Sequence, residues 1–278
     1  DYGERKHQKR GENGDDTEIF HDRITRSGAA AVTLRVGARR LVKPGAPQYG
    51  KPVGDLQRAG GQVPDPTTGA RGVPIYRTTA YQFENTEHAA NLFALSELGN
   101  IYTRIMNPTQ DVLEQRVAAL EGGAAALALA SGTSAVYYTI INICEAGDDI
   151  VSARNLYGGT YTMFDCILPQ FGIHTNFADA TEPESIDRAI TQKTRAVFIE
   201  TIGNPVLDFT DIAAIADIAH RQNLPLIVDA TFTTPYLLKS IEYGADIVVN
   251  SLTKWMGGHG TGIGGIVVDS GKFDWQDP

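Results

Sequence analysis

The sequence predicts an α/β fold built on a mostly parallel seven-stranded sheet flanked by helices. Three observations carry this. Seven short apolar runs of strand length follow one another from residue 125 to residue 269. Helical stretches separate most of them, at the spacing that βαβ units need. Polar residues collect just past the ends of these runs, where ligands sit on such sheets.

Taken in order, residues 1–53 show no sustained period, although a short strand or helix over 30–36 is compatible with the pattern. From about residue 65 the chain is turn-rich, punctuated by Pro64, Pro66, Gly69, Gly72 and Pro74. DVLEQRVAALEGG then reads as an amphipathic helix with Val112, Leu113, Val117 and Leu120 on one face, closed by Gly122 and Gly123. AALALA (125–130) is a buried strand, and TSAVYYTIINICEAG a helix ending near Gly147. DIVSA, HTNFA, AVFIET, LIVDA, DIVVNS and IGGIVVD complete the strands. SIDRAITQ and DIAAIADIAHRQ are intervening helices.

Composition sets the outer bounds. The 278 residues are 42% hydrophobic and 21% charged, with a net charge of −9. That balance excludes a collagen-like, coiled-coil or wholly disordered chain. No apolar run is long enough to cross a membrane as a helix. The first residues, DYGERKHQKRGENGDD, lack the apolar stretch of a secretory signal. Two cysteines, Cys144 and Cys166, are too few for a disulfide framework. They are expected as buried, inert thiols in a reducing compartment, the cytoplasm. Residues 1–53 carry 11 Lys/Arg against 7 Asp/Glu, a net of +4, which leaves −13 on the remainder. An acidic body argues against a large nucleic-acid footprint, and a basic arm of this kind is first of all a solvated tail. The expected division is an atypical N-terminal arm over 1–61 and one cofactor-binding domain over 62–278.

Four features at strand ends carry chemistry. AALALA runs into Ser131, Gly132, Thr133 and Ser134 and then a helix, so unpaired amides at a positive helix end could cradle a phosphate. Turn-and-cap chemistry explains the same residues equally well. LIVDA ends in Asp229, a carboxylate that needs a partner there, either an ion pair or a cationic ring nitrogen. DIVVNS leads into Ser251, Leu252, Thr253 and Lys254. A lysine there can lose solvation and lower its pKa, which suits a Schiff-base former, or can be an ordinary loop lysine. In NLYGG, the glycines leave Tyr157 free to present its ring face, unless it is simply a core or surface tyrosine. Together, phosphate cradle, aromatic face, acidic partner and lysine are the parts a pyridoxal phosphate site needs.

Several stretches then resemble one family. PDPTTGARGVPIY, NIYTRIMNPTQDVLEQRVAALEGG, NLYGGTY, FIETIGNPVLDFTDI, LIVDATFTTPYL and SLTKWMGGHGTGIGGIVVDSGKFDW are similar to the Cys/Met-metabolism enzymes of fold type I, pyridoxal phosphate-dependent transferases. The similarity covers roughly 62–278, and its detail lies nearest the O-acetylhomoserine sulfhydrylase branch. The resemblance implies that Lys254 carries the Schiff base and moves protons between substrate carbons, with Tyr157 assisting. It implies that Asp229 pairs with the ring nitrogen, Tyr157 stacks on the ring and Asn204 bonds its phenolic oxygen. Gly132, Thr133, Ser251 and Thr253 would hold the phosphate. Tyr102 and Arg104 would reach the phosphate of a neighbouring subunit, in a homodimer or homotetramer. The implied reaction is γ-replacement on an O-acylhomoserine by sulfide or a thiol, giving homocysteine or methionine.

The resemblance also has departures. The family continues past this point into a smaller C-terminal domain that clamps the substrate carboxylate, which is expected to be missing here. Arg58, Arg77 and Asn250 stand where His, Gln and His are common, with small effects expected. The rivals are a γ-lyase of methionine or cystathionine, a non-catalytic cofactor-binding fragment, and a nucleic-acid binder through the basic arm. Gly260, Gly262 and Gly265 satisfy G-x-G-x-x-G, but they precede a strand instead of opening a helix, so no dinucleotide site is expected. His259 has no companion at metal-ligand spacing, so no metal is expected.

Overall fold

A computed structural model describes residue 60 and residues 62–275. The basic arm, the 30–36 segment and Arg58 lie outside the described residues. Seven strands form one sheet: β1 (Ala125–Leu129), β2 (Asp149–Ala153), β3 (His174–Ala178), β4 (Thr194–Glu200), β5 (Leu226–Asp229), β6 (Ile247–Ser251) and β7 (Gly265–Asp269). Their order is β1-β7-β6-β5-β4-β2-β3. All pairings are parallel except those of β7, which runs antiparallel to both β1 and β6. Six strands therefore share one direction, and their carboxyl ends meet along one edge. The amino end of β7 lies at that edge too, where Gly265 pairs with both Leu129 and Ser251.

The helices are α1 (Thr86–Phe93), α2 (Pro108–Glu121), α3 (Gly132–Ile143), α4 (Gly158–Thr162), α5 (Pro183–Ala189), α6 (Ile212–Arg221) and α7 (Thr234–Leu237). A π-helical turn at Met163–Ile167 and a 3-10 turn at Leu168–Phe171 follow α4. Helix α3 packs on β6, β7 and β1, and α6 packs on β5. Every residue of β2 and β7 is buried, as are Ile227, Val228, Val248 and Val249 in the middle strands. This double-sided burial explains why the central runs read as unbroken Val, Ile and Ala.

Three local expectations are corrected. Helix α2 buries Val117, Ala118, Leu120 and Glu121, while Leu113 is 39% exposed. The buried face centres on the 114–118–121 stripe because two glutamates find partners beneath it. Glu114 accepts the Ala128 amide at 2.8 Å, and Glu121 accepts the Asn250 side-chain amide at 2.9 Å. Helix α3 ends at Ile143, not near Gly147. Cys144 is extended, and the chain turns through Gly147, at φ 105°, whose amide donates to the Gly172 carbonyl. Cys144 is buried as expected, and burial pushes its thiol up to about 12. Cys166 is exposed, because the π-helical turn spends its buried face on Met163 and Phe164.

Candidate functional site

A cavity of about 560 Å³ opens at the shared carboxyl edge of the sheet. Its walls come from sequence-distant turns. Ser131, Gly132 and Thr133 follow β1, and Tyr157 follows β2. Glu200 ends β4 and Asn204 follows it, Asp229 ends β5 and Thr231 follows it, and Ser251 ends β6 with Thr253 and Lys254 after it. Parallel strand direction, fixed by the hydrogen-bond ladders, makes this convergence possible.

The amino end of α3 forms one wall. Ser131 caps the helix, its Oγ accepting the Ser134 amide at 3.0 Å. Gly132 sits where a side chain does not fit: an added Cβ would stand 2.6 Å from Ser251 Cβ and 3.0 Å from its Cα. The same crowding explains Gly265, where a Cβ would lie 2.0 Å from the Ser131 carbonyl oxygen. The helix end, the end of β6 and the start of β7 are thus pressed together at backbone distance. Gly132→Ala is expected to force these elements apart and to destabilise the fold by about 1–3 kcal/mol, the usual cost of overpacking. Denaturant unfolding followed by circular dichroism measures it.

Tyr157 stands at the entrance to α4 and is about half exposed. Its amide donates to Glu200 Oε1 at 2.7 Å. A Cβ on Gly159 would lie 2.6 Å from Tyr157 Cε1, so glycine there makes room for the ring over the chain. Asp229 closes β5 with Oδ1 accepting the Thr231 amide at 2.9 Å. Burial raises its pKa above the ordinary carboxylate range, opposed by hydrogen bonds from Thr231. The Thr231 hydroxyl in turn accepts the Ser251 amide at 2.8 Å, joining the β5 and β6 ends. Thr253 faces the cavity, but its hydroxyl donates to the Gly264 carbonyl at 3.2 Å and accepts the Gly264 amide at 3.1 Å.

Lys254 borders the cavity and is exposed. The loss of solvation expected for it is therefore not met within these residues, because the turn after β6 carries it beyond the covered part of the strand. Asn204 lies in a turn with a cis Asn204–Pro205 bond. That turn is tied to the Tyr157 segment by Asn155, whose side-chain amide donates to Asp208.

Eight of the residues singled out from sequence line this one cavity: Lys254, Asp229, Tyr157, Asn204, Gly132, Thr133, Ser251 and Thr253. Tyr102 and Arg104 do not. Both are exposed away from it, with the Arg104 guanidinium 5.6 Å from the Tyr102 ring centre. Sequence reading missed Glu200, Thr231, Phe232 and Trp255 in the lining. Glu200 is 5% exposed. Burial pushes its carboxyl up to about 8, the neighbouring Asp229 charge adds to this, and the Tyr157 and Asn204 amides oppose it. Among the described residues no cluster of His, Cys, Asp and Glu could hold a metal ion. His259 is exposed, its ring Nδ1 3.0 Å from the Gly257 carbonyl.

Residues 56–278 match the sequence pattern described as Cys/Met metabolism PLP-dependent enzyme. The chain belongs to that family. It is 56% identical over 216 residues to an O-acetyl-L-homoserine sulfhydrylase of Leptospira meyeri, covering 78% of this chain and 49% of the relative. It is 52% identical over 222 residues to a homocysteine synthase of Schizosaccharomyces pombe, covering 80% of this chain and 52% of the relative. The chain thus spans about half the length of these relatives. A Campylobacter jejuni structure named for O-acetylhomoserine (thiol)-lyase, which carries N'-pyridoxyl-lysine-5'-monophosphate, superimposes with a TM-score of 0.78 at 40% identity. That match covers 80% of this chain and 55% of the neighbour.

The family's cofactor, pyridoxal phosphate, fits the residues present. Gly132 and Thr133 at the amino end of α3 line the cavity together with Ser251, the donor set a phosphate needs, and the Asp229 carboxyl and the Lys254 amine belong to residues that line the same space.

Proposed function

We propose that this cavity is the cofactor and substrate site of a γ-replacement enzyme. It would act on O-acetylhomoserine with sulfide or a thiol and give homocysteine or methionine. One observation carries the reading. A helix amino end, an aromatic face, a buried carboxyl and a lysine converge on one cavity at the carboxyl edge of the sheet. The relatives named above support the substrate class.

When bound, pyridoxal phosphate supplies an electron sink that makes protons on the substrate carbons acidic. In this reading Gly132 and Thr133 amides and the Ser251 hydroxyl bind the phosphate at the positive end of α3. Thr253 joins them once its hydroxyl turns from Gly264. Tyr157 covers one ring face, Asn204 holds the ring edge and Asp229 keeps the ring nitrogen protonated by its negative charge. Lys254 Nζ anchors the cofactor. Once free, the same amine would carry the protons that leave Cα and Cβ of the substrate and return them after sulfide or a thiol has replaced acetate at Cγ. Tyr157 assists near the leaving group.

Tyr102 and Arg104 lie outside this cavity, and we assign them to the phosphate site of a neighbouring subunit in a homodimer or homotetramer. An exposed guanidinium suits that task through its bidentate geometry. Among the described residues no helix is long and apolar enough to cross a membrane. Cytoplasmic placement belongs to this reading and rests on the free thiols of Cys144 and Cys166.

The deciding experiment supplies the cofactor-loaded protein with O-acetylhomoserine, with and without sulfide. Homocysteine that appears only with sulfide supports the proposal. Ammonia and a 2-oxo acid formed without a thiol would assign the site to a γ-lyase. Cofactor binding with neither product would leave a binding function alone.

A further inference from the structure

Glu200 is placed unlike any other carboxyl of the site. It ends β4 beside Asp229 at the end of β5, and the two residues are register partners across the parallel ladder. Both line the cavity. Glu200 Oε1 accepts the Tyr157 amide at 2.7 Å, and the Asn204 amide also hydrogen-bonds the carboxyl. One buried side chain therefore fastens the aromatic wall and the Asn204 turn to the sheet, and it does so abreast of the acid meant for the ring nitrogen.

We propose that Glu200 is a positioning residue of the cofactor site, which ties Tyr157 and Asn204 to β4 as a neutral acid and so leaves the negative charge of the carboxyl pair on Asp229. The inference rests on the pyridoxal phosphate reading above. Two carboxylates abreast in a buried site do not both ionise readily, so one of them keeps a proton. The charged groups facing Glu200 are Asp229 from β5 and Asp208 from the turn after Asn204, both acidic. Its amide partners, Tyr157 and Asn204, carry no charge. Each carboxyl accepts two bonds that favour its ionised form, Glu200 from the Tyr157 and Asn204 amides and Asp229 from the Thr231 amide and hydroxyl. Solvent access therefore separates them: Glu200 is 5% exposed, whereas Asp229 is only half-buried at the cavity wall. The proton thus resides on Glu200, which still accepts through Oε1.

Glu200→Ala and Glu200→Gln test this, beginning with cofactor-free protein. Hydrogen exchange of the segment containing Tyr157 should quicken about tenfold in Glu200→Ala, the loss of roughly one hydrogen bond. It should stay near wild type in Glu200→Gln, which keeps the acceptor and mimics the neutral acid. The thermal midpoint of Glu200→Gln relative to wild type should rise between pH 5.5 and pH 8, because only wild type must hold a proton on that site as solvent takes it away. A merely structural role would leave that difference independent of pH. In the cofactor arm, pyridoxal phosphate dissociation constants by fluorescence should weaken about tenfold for Glu200→Ala and little for Glu200→Gln.

Unchanged exchange or affinity in Glu200→Ala would overturn the proposal. So would a pH-independent difference for Glu200→Gln, a result that stands even if the alanine variant does not fold. If wild type itself binds no pyridoxal phosphate, the cofactor reading fails. The exchange and pH measurements then still decide the tie and the proton.

Discussion

Lys254→Ala is expected to leave a folded protein that can no longer be trapped covalently on its cofactor. Borohydride reduction of the wild type loaded with pyridoxal phosphate should place the adduct on the peptide containing Lys254. The alanine variant should give none. Under the proposed function activity should fall by at least about 10³-fold, because the same amine would anchor the cofactor and move the substrate protons. The fold should be spared, since the lysine is exposed on a turn beyond β6 and contributes nothing to the core. Phosphate and ring contacts from Gly132, Tyr157 and Asp229 would remain, so noncovalent binding should persist at reduced affinity. Visible absorbance, mass mapping of the reduced protein and the thermal midpoint separate these effects. An adduct on Lys239 or Lys272 in place of Lys254 would remove Lys254 from its assigned role.

The parts of this molecule legible in its sequence are those whose signal is local. The seven strands were readable because each is a short apolar run bounded by turn residues. The cavity edge was readable because parallel strands place Asp229 and the Ser251–Lys254 turn on one side. What stayed hidden depends on pairs far apart in the chain. Glu200 looked like the polar end of an ordinary strand. Its meaning comes from Tyr157, 43 residues earlier, and from Asp229 across the ladder. The buried face of α2 was misplaced because glutamate counts as polar in any periodicity. Glu114 and Glu121 nevertheless point inward to donors on β1 and β6. The exposure of Cys166 follows from a π-helical turn, which shifts the facing of each residue and has no sequence signature. The solvation of Lys254 depends on what covers the cavity mouth, and no local pattern contains that information.

Glu121→Gln is expected to stabilise the protein, and only at neutral and alkaline pH. Glu121 ends α2 with no exposed surface, and Asn250, equally buried, lies beneath it on β6. Asn250 Nδ2 donates to Glu121 Oε1 at 2.9 Å. Glu121 Oε2 and Asn250 Oδ1 are both buried without a hydrogen-bond partner. Burial pushes the Glu121 carboxyl up to about 7, with the Asn250 bond and the Lys239 charge working against it. The sign follows directly. Between the ordinary glutamate value of 4.5 and about 7 the folded protein binds more protons than the unfolded chain, so stability falls as pH rises through that window and levels off above it. The loss is on the order of 3 kcal/mol, the free energy of such a shift. Glutamine carries no charge to bury, keeps the acceptor for Asn250 Nδ2 and brings a donor suited to Asn250 Oδ1. Its advantage over wild type should be small at pH 4.5, open up to pH 7 and stay constant beyond. The corresponding gap for Glu200→Gln should keep widening to about pH 8, the value to which burial beside Asp229 raises that group. Thermal midpoints of both variants across pH 4.5 to 9 therefore separate the two buried acids. A Glu121→Gln protein that is less stable than wild type at pH 8 would mean that the Glu121 charge is compensated in the folded chain.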